Sequence, residues 1–376
     1  MAAEAGGRRP RPGISGRSEI RGAMAEITVV GAGLAGLVAA INCACGGHKV
    51  RVLERFEHIG GEPYIRPAVD VTPMDPKRLG DFIGVRLEPP YVTPTEEFAI
   101  YVYGKRYLVP GGRMHLHSVE RGSRSTSLDM YLYERAREAG VEFQMGVEMN
   151  SQKDFAELPP NTIVATGLEV EPFLALRRPY LEVYGFIGKT RYEGPPRIMG
   201  FFDHYTSYYN YCANANGVAF ALAFDSRPVT ESLRDEWDRQ LREWEGMGFE
   251  TWLPHEGVVA TGKITSPCLF AGNKILAGTL AGMQDPFFLF GVQSSLASGK
   301  IAALAVEDRE RAWRLFHGFT SAYKYSWLCK RFFDAQPHFL RKRGLRLGFG
   351  AYLRYPSLMQ PAIDIALKSL PGYGKY

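Results

Sequence analysis

A glycine-rich turn near the start of the chain has the residue types and spacing that bind a nucleotide pyrophosphate. The apolar run 27–30 is followed by Gly31, Gly33 and Gly36, and then by the small apolar residues 37–41. Gly31 suits a tight turn, Gly33 lets the backbone approach a phosphate, and Gly36 lets a helix lie close to a sheet. The helix N-terminus would direct unpaired N–H groups at the phosphates. The pattern predicts a dinucleotide site.

An acidic residue after the next strand favours the same interpretation. The apolar segment 50–53 is followed by Glu54, whose carboxylate is placed to accept hydrogen bonds from a ribose diol. Arg55 comes next, and Gly60 and Gly61 lie a few residues further on. The alternative is a glycine turn without a ligand. The strand, helix and acid in sequence favour dinucleotide binding over that alternative.

These residues and two later segments resemble known flavoproteins. Glu54, Arg55 and Gly60-Gly61 resemble the extended fingerprint of FAD proteins of the glutathione reductase type. The strand 162–167, with its end Ala-Thr-Gly, is similar to the strand that passes beneath the cofactor in those proteins. Segment 274–303 resembles the flavin motif of the p-hydroxybenzoate hydroxylase-like superfamily, most closely that of the FAD-dependent geranylgeranyl reductase family. The matches there are Gly278, Ala281, Gly282, Pro286, Gly291, Ala297, Ser298, Gly299, Ala302 and Ala303.

The resemblance covers most of residues 24–320 and implies bound FAD. Arg124, ahead of Leu128-Asp129, is similar to a family arginine that approaches the flavin phosphate or ribityl chain. Two residues depart from the family: Thr279 replaces an aspartate that holds the ribityl chain, and Leu289 replaces a glycine beside the flavin ring. Threonine loses the charge-assisted contact of the acid, and leucine adds bulk. The cofactor-binding residues so implied are Gly31, Gly33, Gly36, Glu54, Arg55, Arg124, Gly167, Gly278, Thr279, Pro286 and Gly291.

The elements around these motifs predict an α/β protein of more than one domain. With 376 residues, 45% hydrophobic and 23% charged, the chain has a globular composition. We expect a Rossmann-type FAD-binding domain from 24–70, 113–168 and 270–320. Strand-like segments, among them 181–190, 196–202 and 217–224, predict an antiparallel substrate domain from 71–112 and 169–269. Residues 1–23 are expected to form a disordered leader, and 321–376 a basic, aromatic, helical tail.

Aromatic hydroxyls concentrated beside a histidine mark a candidate substrate site over 204–211. His204 and Tyr205 are the candidate proton donors. The alternative is an ordinary sheet that exposes tyrosines. A charged helix is predicted over 230–244, with Trp237 and Trp244 on its apolar face and in the core.

The charge is concentrated at the two ends of the chain. The net charge is +5, but residues 1–23 carry +3 and residues 322–376 carry +8, so the middle is net negative by six. This distribution argues against nucleic acid as a partner. The tail mixes basic and aromatic residues and predicts either a solvated helix, a lid over the substrate cavity or peripheral contact with an anionic membrane. Pro356 and Pro361 divide its apolar part into short pieces.

Five cysteines, with neither metal-ligand nor paired-disulfide spacing, predict no metal site and a cytoplasmic protein, with peripheral membrane association as an extension of that location. The resemblance implies an FAD-dependent oxidoreductase that acts on a small apolar compound, of which an isoprenoid is one example, by flavin hydride transfer to or from a carbon–carbon bond. The electrons would come from NAD(P)H or from another donor. The alternatives are a flavin-dependent monooxygenase, which hydroxylates or epoxidises, and a flavin-fold protein without redox activity.

Overall fold

The computed structural model describes residues 24–95 and 97–376, so the predicted leader lies outside the described residues. The strands are β1 Glu26–Val30, β2 Lys49–Leu53, β3 Ala68–Pro73, β4 Thr93–Pro94, β5 Glu97–Val102, β6 Lys105–Pro110, β7 Leu116–Arg121, β8 Glu142–Gln144, β9 Ile163–Val164, β10 Leu181–Arg191, β11 Ile198–Phe202, β12 Asn210–Ala215, β13 Val218–Asp225, β14 Thr251–Val259, β15 Phe270–Ala271 and β16 Lys274–Leu276. The α-helices are α1 Leu34–Cys45, α2 Pro76–Ile83, α3 Gly111–Met114, α4 Leu128–Glu138, α5 Gln152–Glu157, α6 Val170–Ala175, α7 Glu231–Glu245, α8 Val292–Glu307, α9 Arg309–Thr320, α10 Tyr323–Ala335, α11 His338–Arg354 and α12 Pro356–Ser369.

A six-stranded sheet holds the predicted dinucleotide fingerprint. Its order is β15-β16-β9-β1-β2-β8, and every neighbouring pair is parallel except β15 and β16. β1 is buried at four of its five residues, as a strand between two layers requires. All six strands come from the segments predicted for the FAD-binding domain. The predicted Rossmann-type α/β fold is therefore confirmed.

Two glycines allow close packing around α1. Gly36 lets α1 approach the glycine turn, and Gly299 lets α8 approach α1. A Cβ on Gly36 of α1 would overlap the carbonyl oxygen of Gly31. A Cβ on Gly299 of α8 would overlap the carbonyl oxygen of Ala35 and lie 2.9 Å from the Cβ of Val38. The two helices and the glycine turn form one crowded unit, in which α1 has little freedom to shift.

A seven-stranded sheet forms the second layer, in the order β14-β10-β13-β12-β11-β5-β6. Its neighbours are antiparallel except for the parallel pair β5 and β11. The predicted strands correspond to β10, β11 and β13, and segment 71–112 supplies β5 and β6. β3 and β4 instead pair with β7 in a separate three-stranded sheet.

Helix α7 covers one face of the seven-stranded sheet. Thr230 caps it by accepting a hydrogen bond from the amide of Leu233. Trp237 is fully buried against Phe201, as predicted. Trp244 was expected in the core, but it is 37% exposed and stacks on Tyr101 of β5.

The tail forms three helices, α10 to α12. Pro356 occupies the first turn of α12, but Pro361 lies inside the helix and does not end it, at the cost of one backbone hydrogen bond. Across the described ranges, we find no helix with both the length and the apolar character that a bilayer crossing demands.

A buried carboxylate ties the tail to the loop 285–291. Asp285 is fully buried and accepts hydrogen bonds from the Ser326 hydroxyl of α10 at 2.7 Å and from the amides of Phe287 and Phe288. Burial raises the pKa of Asp285 to about 6, although these hydrogen bonds oppose the shift. The position of α10 therefore depends on a carboxyl that is costly to ionise.

We predict that Gly299→Ala lowers the free energy of unfolding by about 1–3 kcal/mol, because the methyl group overlaps α1. Gly318→Ala is the matched control on an exposed turn of α9, where a Cβ meets nothing within 4 Å. Replacing a helical glycine there should raise the free energy of unfolding by up to about 1 kcal/mol. Urea denaturation measures both changes. Equal effects of the two substitutions would contradict the tight packing of α1 on α8.

We predict that Asp285 makes stability fall as the pH rises. Its pKa is raised in the folded state, so its contribution is complete below the unfolded pKa of 3.8 and is lost as pH rises through about 6. The loss amounts to at most about 3 kcal/mol. Asp285→Asn can still accept from the amides and donate to Ser326. Its stability relative to wild type should therefore increase between pH 4 and pH 7 in urea titrations.

The control for this pH effect is Asp364→Asn, which changes an exposed carboxyl on α12. Its stability relative to wild type should change little over the same pH range. A constant difference between Asp285→Asn and wild type across the range would show that Asp285 titrates normally.

Candidate functional site

A cavity of about 1050 Å³ lies between the six-stranded sheet, the seven-stranded sheet and the tail. The carboxyl ends of β1, β2 and β9 open into it, which is the usual ligand edge of such sheets. Cavities for single small ligands occupy roughly 300–1,000 Å³. This one is at the upper end of that range, which suits a large ligand.

The glycine turn forms a cradle at one end of the cavity. Gly31 has φ +97°, and a Cβ there would overlap the backbone of Ala165. Gly33 lines the cavity, and a Cβ on it would meet nothing within 4 Å, so the space above it belongs to the cavity. α1 begins at Leu34 without a side-chain cap. Its first N–H groups therefore offer an anion site, as predicted for a pyrophosphate.

Glu54 is fixed beside this cradle by the backbone. One carboxylate oxygen accepts from the Ala32 amide at 2.8 Å and the other from the Phe56 amide at 3.1 Å. Each oxygen keeps a lone pair for a ligand hydroxyl. Arg55 also lines the cavity, but its guanidinium is paired with Glu169 at 2.7 Å and lies over the Phe56 ring.

The two later motifs meet the first one at the same cavity. Gly167, Gly278, Thr279 and Gly291 all line it. Beside them, the hydroxyl of Thr166 is buried and has no hydrogen-bond partner among the described residues. A buried polar atom without a partner is costly, so this hydroxyl indicates that the cavity takes a ligand with polar groups.

Leu289 has a backbone conformation that favours glycine. Its φ is +57°, in the left-handed region, which costs roughly 1–2 kcal/mol for a residue with a Cβ. Its side chain lines the cavity and packs against the cluster of Val183, Phe224 and Val259. The leucine side chain therefore fills part of the cavity.

Several predicted site residues lie outside the cavity. Gly36 and Pro286 do not line it. Arg124 pairs with Glu120 and donates to the carbonyl of Asn216, so the structure does not bring it to the predicted cofactor position. Arg121 lines the cavity instead, in ion pairs with Asp129 and Asp70.

The predicted proton donors are also absent from the lining. His204 is exposed, with one ring nitrogen on Asp203 at 2.7 Å and the other 3.4 Å from Glu236. Tyr205 is buried on the α7 side of the seven-stranded sheet, in the cluster that contains Trp237. Both residues belong to the face that packs on α7 and not to the cavity face.

Two other tyrosines of segment 204–211 do reach the cavity. Tyr209 and Tyr211 line it, while Cys212 points to the α7 side, because side chains alternate along β12. Burial raises the pKa of both tyrosines, and the Asp70 charge adds to the rise. The Tyr209 hydroxyl donates to the Phe288 carbonyl, whereas the Tyr211 hydroxyl bonds to no described residue. Alternation does not separate Tyr205 from these two tyrosines, because all three positions have the same parity; Tyr205 lies in the connection between β11 and β12, where the strand pattern does not apply.

Arg66 was not predicted, because no motif contains it. It lines the cavity, its Nε is buried without a partner, and it makes no ion pair with a described carboxylate. Its charge, together with burial, lowers the pKa of His255 on β14. A buried donor without a partner is costly, so the Nε of the half-buried Arg66 favours a ligand with a hydrogen-bond acceptor at this point.

Large apolar side chains line the part of the cavity between the seven-stranded sheet and the tail. The seven-stranded sheet supplies one wall and the tail the other. The large apolar side chains are Phe98, Ile100, Val109, Ile198, Phe202, Leu222, Phe288, Leu345, Phe349, Met359 and Ile363. This part of the cavity suits an apolar molecule.

Comparison with known proteins identifies one matching domain family and several proteins of similar structure. Residues 29–70 match the family of NAD(P)-binding Rossmann-like domains. No curated protein matches the chain. A geranylgeranyl bacteriochlorophyll reductase-like protein from Thermoplasma acidophilum is similar in structure, with a TM-score of 0.66 and 14% identity, over 91% of this chain and 99% of that one.

Two further structures are similar over most of their length. The p-nitrophenol 4-monooxygenase of Pseudomonas putida DLL-E4 has a TM-score of 0.60 and 13% identity, over 93% of this chain and 99% of that one. A flavin-dependent brominase has a TM-score of 0.53 and 14% identity, over 92% and 93%. At these identities the similarity shows the fold. The chain has the fold of the FAD-binding flavoproteins, with a Rossmann-type domain, a second, mostly antiparallel sheet and a C-terminal helical region.

Proposed function

We propose that this protein is an FAD-dependent oxidoreductase that acts on a small apolar compound. The observation that carries the proposal is the cradle of Gly31, Gly33 and the uncapped start of α1, with Glu54 held beside it by two backbone amides. The similar reductase-like and monooxygenase structures support it, because they share this fold over most of the chain.

The residues present fit FAD along the length of the cavity. The α1 N-terminus would hold the pyrophosphate and Glu54 the ribose hydroxyls. The free hydroxyls of Thr166 and Thr279 would bind polar groups further along the cofactor. Bound FAD would supply two-electron chemistry, with NAD(P)H proposed as the source of the electrons.

The substrate half of the site would exclude water and provide a proton. Its apolar walls favour a hydrocarbon-rich substrate, such as an isoprenoid. Burial keeps Tyr211 protonated at neutral pH, so its hydroxyl can donate to a carbon or oxygen atom of the substrate that gains negative charge. His255, whose pKa is lowered by burial and by Arg66, is neutral there and serves as a polar neighbour.

We predict that Gly33→Val lowers the FAD content of the purified protein at least tenfold, because the side chain enters the space above the α1 N-terminus. Absorbance of the released flavin measures the content. Gly318→Val is the matched control, since its Cβ also meets nothing within 4 Å but lies on exposed α9. A wild-type protein without flavin that also takes none up on reconstitution would reject the proposal.

We predict that Tyr211→Phe slows turnover by roughly 10²–10⁴-fold, the range for loss of a general acid. Tyr205→Phe should change turnover less than twofold, because Tyr205 is buried on the α7 side. Farnesol is a suitable probe isoprenoid, with NAD(P)H oxidation, product and peroxide followed together. A slow Tyr205→Phe variant and an unaffected Tyr211→Phe variant would reverse the two roles.

The same assay separates reductase from monooxygenase chemistry. A reductase gives a saturated product under anaerobic conditions, whereas a monooxygenase needs oxygen and gives a hydroxylated or epoxidised product. Reducible flavin with no turnover of any probe would favour the non-redox alternative.

A further inference from the structure

The tail helices expose large apolar side chains that neighbouring elements do not cover. Ten of the nineteen exposed large hydrophobic residues of the described chain lie between Tyr325 and Ile365. We define the tail surface by the members at helical spacing: Tyr325, Leu328 and Phe332 on α10, Leu340 and Leu347 on α11, and Leu358 and Ile365 on α12. Such a concentration usually marks an interaction site.

The spacing places these residues on single faces of their helices. Leu358 and Ile365 are seven positions apart, which is two turns, and they are 76% and 70% exposed. Leu340 and Leu347 have the same spacing on α11. The opposite sides of these helices are the packed ones, with Tyr352 of α11 and Leu367 of α12 buried.

Basic residues without acidic partners accompany the apolar ones. Residues 323–369 contain nine lysines and arginines but only Asp334 and Asp364 as acids. Lys330 is paired with Asp334, and none of the other eight basic residues has a carboxylate partner among the described residues. Arg343 lies one turn from Leu340, and Lys368 one turn from Ile365. The tail surface is therefore both apolar and positively charged.

The same helices form a wall of the cavity. Leu345 and Phe349 of α11, and Met359 and Ile363 of α12, line it from the inside. α12 thus has an exposed apolar stripe on one side and a cavity wall on the other. These helices therefore separate the tail surface from the cavity. An apolar molecule at the tail surface would have to pass them to enter the cavity.

We propose that the tail surface docks on an anionic lipid bilayer and that the apolar substrate enters the cavity from the membrane. Exposed leucine, isoleucine and aromatic side chains beside unpaired cations suit the interface of an anionic bilayer. A second copy of this chain is a poorer partner, because a symmetric contact would bring two positively charged surfaces together. The docking does not depend on the proposed redox activity, but the route of the substrate does.

Vesicle sedimentation tests the docking with the full chain. The probes are vesicles of phosphatidylcholine alone and of phosphatidylcholine mixed with phosphatidylserine, at low and at high salt. We expect binding to the mixed vesicles that weakens as salt rises, and much weaker binding to phosphatidylcholine alone. The assay needs no flavin, so a protein that lacks FAD can still bind, and failure of either proposal is recognised separately.

Two variants separate the apolar and charged contributions. Leu358→Glu with Ile365→Glu should lower the partition coefficient on mixed vesicles about a hundredfold or more, because two inserted side chains are lost. Arg343→Gln with Lys368→Gln should lower it roughly 30-fold, since each basic residue contributes about fivefold. Leu174→Glu with Trp313→Glu is the matched control, because both residues are exposed on other helices, α6 and α9.

These results would support docking only if the variants stay folded, which circular dichroism and thermal melting check. No sedimentation of wild type with mixed vesicles at low salt would overturn the proposal. Equal losses in the tail and control variants would overturn it too. A wild-type dimer in analytical ultracentrifugation that dissociates in Leu358→Glu with Ile365→Glu would assign the tail surface to self-association instead.

Discussion

The close approach of backbone to backbone at the glycine turn is the constraint on which the rest of the site depends. A side chain on Gly31 would overlap Ala165 of the neighbouring strand, and one on Gly36 would overlap Gly31 itself. α1 is therefore held against the sheet, and α8 packs closely on α1 at Gly299. With the helix fixed in this way, its N-terminus faces the cavity and its free N–H groups are available to an anion. If α1 packed less closely on the sheet, the N–H groups at its N-terminus would not be held facing the cavity.

The second organising feature is the use of both faces of the seven-stranded sheet. One face packs on α7 and is filled by Phe201 and Trp237, while the other carries Tyr209 and Tyr211 toward the cavity. Since side chains alternate along a strand, neighbouring residues serve different purposes. The same strands thus supply both the cavity wall and the core beneath α7. A one-residue change of register would exchange the residues on these two faces.

The tail completes the cavity and is held to it by a polar contact in an otherwise apolar setting. Asp285 joins α10 to the loop 285–291, while α11 and α12 supply apolar wall residues. Leu289, in the same loop, has a backbone conformation that favours glycine but occupies cavity space. The tail therefore forms part of the cavity wall, and its outer side is available for the proposed membrane contact.

The sequence alone determined the Rossmann-type domain and the position of Glu54, because these follow from short-range patterns of glycine, apolar strands and one acid; the meeting of the two later motifs with the first was implied by the family resemblance. It also determined most strands of the second sheet. Only the tertiary structure decided which polar residues reach the cavity. Arg124, His204 and Tyr205 are close in sequence to Arg121, Tyr209 and Tyr211, yet ion pairs and the path of the connection between β11 and β12 direct the two groups to different places. Arg66 belongs to no motif, and the burial of its Nε without a hydrogen-bond partner arises only when distant segments enclose it, because burial is a property of the folded chain.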